Sequence, residues 1–145
     1  MNQASSTQPT IEFRNVSYQI DSTRELLHDL SLRVDPGETL VLLGRSGSGK
    51  TTTLKLINLL LHPTSGEIFV NGKSIRDWDV IRLRRSIGYA IQDVGLFPHF
   101  TVARNIGLVP KIEGWPAERI NKRVQELLQL VGLDSGLASR YPREL

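Results

Sequence analysis

Eight consecutive residues, Gly44-Arg45-Ser46-Gly47-Ser48-Gly49-Lys50-Thr51, have the types and spacing needed to grip phosphate. They fit G-x-x-x-x-G-K-[ST], the pattern of a phosphate-binding loop. Glycine lacks Cβ, so successive backbone N–H groups can turn inward and phosphate oxygens can approach to hydrogen-bonding distance. Lys50 adds a point charge to that cradle, and Thr51 places a hydroxyl where it can ligate Mg²⁺. A helix beginning here would aim its positive end at the same polyphosphate. The ligand expected on these residues is therefore a polyphosphate with Mg²⁺.

Such a loop needs a buried strand before it and a helix after it. Thr39 to Leu43 is a short apolar run, which predicts a strand covered on both faces of a parallel sheet. Thr52 to Leu61 follows without Gly or Pro and predicts a helix with Leu54, Ile57 and Leu61 at helical spacing.

At 145 residues the chain has room for one domain or part of one. Its 18 basic and 15 acidic residues are interspersed, and a net charge of +3 gives no support to nucleic-acid binding. The absence of cysteine excludes a disulfide framework and fits a reducing cytosol. No apolar run approaches bilayer length, and Met1 to Thr10 is polar where a signal peptide would be apolar, so a soluble chain is expected.

In chain order, residues 1–10 read as a disordered tail. Ile11, Phe13, Val16, Tyr18 and Ile20 predict a strand with a slip near Asn15, followed by a turn at Asp21-Ser22-Thr23 and further strand over Leu26 to Val34. Asp35-Pro36-Gly37-Glu38 has the residues of a type II turn. After a break at His62 to Gly66, Glu67 to Val70 resumes as strand, and Asn71-Gly72 predicts a hairpin to Lys73–Ile75. Asp79 to Arg85 reads as a short helix and Ile87 to Ile91 as another strand ending at Gln92. Residues 11–93 are thus expected to form a partial phosphate-loop core with an antiparallel β subdomain.

Residues 94–145 are expected to begin a helical subdomain. Phe97-Pro98-His99-Phe100 is an aromatic loop, and Thr101 is placed to cap a helix over Val102 to Ile106. Pro116 suits the first position of a helix whose apolar stripe is Ile120, Val124, Leu127, Leu128 and Val131, ended by Gly132.

From about Ile11 to Leu145 these residues resemble the nucleotide-binding subunit of an ATP-binding-cassette (ABC) transporter. The resemblance implies an α/β fold of the phosphate-loop NTPase type. It also implies that Tyr18 stacks on adenine and that Gln92 is the loop glutamine that reaches Mg²⁺ and the attacking water. In that family Gly47, Ser48 and Gly49 supply N–H groups, Lys50 holds the β- and γ-phosphates, Thr51 ligates the metal and Thr52 contacts the α-phosphate. Gly44, Arg45 and Ser46 complete the loop.

Within the family, the run from Gly88 to Val102, with Asn105-Ile106, Val109-Pro110-Lys111 and Trp115, is similar to importers of quaternary amines such as glycine betaine, choline, carnitine or proline. That similarity implies a homodimer of ATPase subunits on the inner face of the cell membrane, with the region near Phe97–Phe100 against the membrane subunit. The family's Ser-Gly-Gly-Gln signature, its Asp-Glu strand end and its switch histidine have no counterpart here, and His28, His62 and His99 do not follow such a strand. The expectation is a first portion of the cassette that binds ATP without hydrolysing it alone. A non-catalytic module that modulates a complete transporter, or another phosphate-loop ATPase or kinase, remains open on the residues themselves.

Overall fold

The computed structural model describes residues 8–91 and 95–145. They fall into two compact units, Met1–Gly88 and Tyr89–Leu145.

The first unit is built on a four-stranded sheet. β1 (Ile11–Asp21), β2 (Arg24–Val34), β3 (Ser65–Val70) and β4 (Lys73–Ser74) lie in the order β2-β1-β3-β4, and every pairing is antiparallel. The slip expected near Asn15 is a bulge. Asn15 has φ of 49°, its N–H donates to the Ser31 hydroxyl at 3.0 Å, and the register shifts between Phe13 and Val16. One extra residue there turns both Phe13 and Val16 to the buried face. The β1–β2 turn is tied by Asp21, whose carboxylate accepts from the Thr23 hydroxyl and from the N–H groups of Thr23 and Arg24. Asn71 and Gly72 both have positive φ, as the expected two-residue hairpin requires.

α1 (Lys50–Ile57) and α2 (Val80–Ser86) pack on this sheet. The core is Phe13, Val16, Leu27, Leu56, Leu59, Ile68, Val70, Ile75 and Leu83. α2 begins as expected, with the Asp79 carboxylate accepting the Arg82 N–H at 2.8 Å. Arg84 on α2 then donates to the carbonyls of Asn58 at 3.1 Å and Leu59 at 2.7 Å, satisfying acceptors just past the end of α1.

Several expectations change. α1 stops at Ile57 rather than Leu61, because Leu59 turns left-handed at φ of 55° and the N–H groups of Leu60 and Leu61 both return to the Lys55 carbonyl. Its buried face is accordingly Thr53 and Leu56, continued by Leu59, and Leu54 faces outward. Residues 39–43 do not join the sheet, and neither do 87–91. A strand exists only where a neighbour pairs its N–H and C=O groups, and the described strands pair with one another. Leu40, Val41, Leu43, Tyr89 and Ile91 are exposed as a result.

The second unit contains α3 (Val102–Ile106), α4 (Leu108–Ile112) and α5 (Ala117–Leu130). Thr101 caps α3, its hydroxyl accepting the Arg104 N–H at 3.2 Å. Of the stripe expected on α5, Val124 and Leu128 are buried against Val102, Ile120 packs beside them, and Val131 lies past the helix end and is exposed. Pro116 stands one position earlier than expected, as the residue flanking α5. Among the described residues no helix is long and apolar enough to cross a membrane.

Candidate functional site

The loop from Gly44 to Thr51 ends in α1, whose first residue is Lys50. Gly49 is the capping residue. It is buried with φ of +88°, and a Cβ there would lie 2.7 Å from Leu27 Cδ2 and 3.2 Å from the Leu26 carbonyl oxygen. The loop is thus pressed against β2 at a position where a side chain has neither a permitted φ nor space. At the other end of the loop, a Cβ on Gly44 would meet the Ser48 hydroxyl at 2.6 Å.

Between these fixed points the Ser48 N–H donates to the Arg45 carbonyl at 3.2 Å, making the turn through Ser46 and Gly47. The Lys50 ammonium reaches back across the turn. It donates to the carbonyls of Gly44 and Arg45, both at 2.8 Å, and to the Ser48 hydroxyl at 3.3 Å. Thr53 anchors the first turn of the helix, its N–H and its hydroxyl both donating to the Gly49 carbonyl, at 2.8 and 3.1 Å.

What is left open is the positive end of α1. No side chain caps it, and no acidic residue stands in its first turn. Helix N-termini expose N–H groups that a side-chain oxygen or an anion normally satisfies. Here the segment before the helix is glycine-rich, the Lys50 ammonium is turned back onto that segment, and Gly44 to Ser48 are exposed. That arrangement fits a phosphate group. Thr51, exposed at the second position of the helix, offers a hydroxyl beside it, and Thr52 is half-buried. Among the described residues no group of three or more His, Cys, Asp or Glu could hold a metal.

Tyr18 lies in β1, half-buried and opposite Leu27 in the β1–β2 register. It packs on the same core to which Leu27 belongs. Leu27 therefore stands between the tyrosine's strand and Gly49, a supporting role that no short motif announces. Gln92 lies outside the described residues.

Residues 27–145 match the family model described as ABC transporter. The chain belongs to the ABC transporter family. This ABC chain is 49% identical over 135 residues to the glycine betaine uptake system ATP-binding protein YehX of Escherichia coli K12, covering 93% of the chain and 44% of that protein. It is 46% identical over 135 residues to the carnitine transport ATP-binding protein OpuCA of Listeria monocytogenes, covering 93% of the chain and 34% of that protein. The chain thus spans less than half the length of these curated relatives.

Among solved structures, the ABC chain is similar to the ATP-binding cassette MJ0796 in its dimeric post-hydrolysis state with ADP and Pi. The TM-score is 0.79 at 29% identity, over 93% of this chain and 62% of that one. It is also similar to cbiO1 of Clostridium perfringens, part of the ABC transporter complex cbiONQ, at a TM-score of 0.84 and 27% identity over 94% of this chain and 55% of that one.

Proposed function

We propose that this ABC chain holds MgATP on the loop Gly44 to Thr51, as the nucleotide-gripping portion of the ATP-binding subunit of a quaternary-amine osmoprotectant importer. The observation that carries the reading is the uncapped, acid-free start of α1 beside the Lys50 ammonium. Anion binding at such a helix end draws on oriented N–H groups and the helix dipole together. Lys50 exchanges its two loop carbonyls for β- and γ-phosphate oxygens, Gly47, Ser48 and Gly49 supply N–H groups, Thr52 contacts the α-phosphate, and Thr51 with Gln92 holds Mg²⁺. Gln92 also orients the attacking water, and Tyr18 stacks on the base.

Support for the transported class comes from the relatives named for glycine betaine and carnitine. In this reading the subunit pairs with a second copy and docks on a membrane subunit through the region of Phe97–Phe100, on the inner face of the cell membrane. Isothermal titration of the protein with MgATP tests the grip. Saturable binding that Lys50→Ala weakens supports it, and a folded protein with no nucleotide affinity removes it.

A further inference from the structure

The aromatic loop that precedes α3 is fastened by the side chain of Asn105. Asn105 Oδ1 accepts the Phe97 N–H at 2.7 Å. Its Nδ2 faces the carbonyls of Phe97, Phe100 and Thr101 at 3.2, 3.2 and 3.0 Å. Two amide hydrogens serve three acceptors, so the carboxamide is fully engaged. The N–H and C=O of Phe97 pair with this amide as they would with a neighbouring strand, although the segment is a loop.

The backbone so fixed presents a compact aromatic group. Ring centroids of Phe97 and Phe100 are 5.2 Å apart, those of His99 and Phe100 4.5 Å, and those of Phe97 and His99 6.0 Å. Phe97 is nevertheless 47% exposed. The Arg104 guanidinium lies 3.8 Å from the centre of the Phe100 ring. Arg104 and Lys111 also line a hollow of about 550 Å³ whose apolar walls include Phe100, Ile112 and Ile120. Exposed aromatics and arginine are the residue types that dominate binding energy at interfaces, and a loop ordered before binding avoids the entropy of ordering it on contact.

We infer that Asn105 is a positioning residue, whose carboxamide pre-forms residues 97–101 as a docking face. The face fits a partner segment that sets an apolar side chain against Phe97 and a carboxylate against Arg104 and Lys111. That the partner is the transporter's membrane subunit rests on the function proposed above.

Two measurements separate the clamp from the partner. In Asn105→Ala, hydrogen exchange at the Phe97 amide accelerates at least about tenfold, because its acceptor is lost. Asn105→Asp accelerates it as well, because that variant keeps the acceptor for the Phe97 N–H but sets a carboxylate oxygen against the three carbonyls that Nδ2 serves. MgATP affinity is unchanged in both variants. Unchanged Phe97 exchange in both would overturn the positioning role. Binding to the membrane subunit in nanodiscs falls at least about tenfold in Asn105→Ala and in Phe97→Ala, and the double variant is no weaker than Phe97→Ala alone. Weak binding by Phe97→Ala with normal binding by both Asn105 variants overturns the inference about Asn105. Normal binding by Phe97→Ala overturns the membrane-subunit reading of this face.

Discussion

The Lys50 ammonium donates to the Gly44 carbonyl at 2.8 Å, tying the charged end of the phosphate loop to its first glycine. The ammonium is held in place by the loop's own backbone. In the proposed reading a bound nucleotide replaces the two carbonyl contacts with phosphate oxygens, an exchange favoured because charged acceptors bind an ammonium more strongly than neutral ones.

Lys50→Ala should cut MgATP affinity by roughly 10- to 100-fold, the equivalent of one or two charge-assisted hydrogen bonds. Lys50→Arg should not restore it, since a planar guanidinium cannot occupy the compact position between Gly44, Arg45 and Ser48. Isothermal titration of both variants decides this, and wild-type affinity in Lys50→Ala would remove the lysine from the site.

Gly49→Ala introduces a Cβ at φ of +88° and 2.7 Å from Leu27 Cδ2. Strain and overpacking together should cost about 1–3 kcal/mol in urea unfolding. Adding Leu27→Ala removes the clash with the leucine side chain but neither the close Leu26 carbonyl nor the φ penalty, so the double variant should be less destabilised than the two single costs summed. Strict additivity would mean that the loop does not rest on β2.

The apolar segment before the loop is exposed, with Val41 at 68% and Leu43 at 88%. An apolar run with unpaired backbone invites association. Val41→Lys and Leu43→Lys should each lower concentration-dependent self-association of this 145-residue chain in sedimentation velocity. Equal association in both variants would place the sticky surface elsewhere.

Asp21 is held below its ordinary carboxylate value of 3.8, first by the Thr23 hydroxyl, then by the Thr23 N–H. A depressed folded value means that the carboxylate's contribution to the β1–β2 turn is present above pH 3.8 and lost as pH falls through the folded value. Chemical-shift titration of Thr23 and Arg24 should show this acid transition, and Asp21→Asn should abolish it while leaving the β1–β2 strand pairing intact. An unchanged transition in Asp21→Asn would assign it to another group.

Local chemistry made much of both units legible. Asn71-Gly72, Asp79 and Thr101 each act within a few residues of themselves, and the turn and caps form where those residues lie. The bulge at Asn15 was readable because it breaks an alternation with a period of two. The end of α1 was not readable from apolar spacing, because Leu59 buries its side chain only by leaving the helix. Residues 39–43 read as strand because apolar patterning reports burial in a sheet, yet pairing depends on a neighbour that the segment's own residues do not specify.

The sequence by itself determined the phosphate loop, since the glycines and lysine that make it are consecutive and need only backbone geometry to act. Tertiary structure decided which contacts hold that loop and the aromatic one in shape. Leu27 supports Gly49 across 22 residues, and Asn105 returns eight residues to fasten Phe97. Such roles come from packing and from one side chain's hydrogen-bonding capacity in space, and no spacing rule along the chain encodes them.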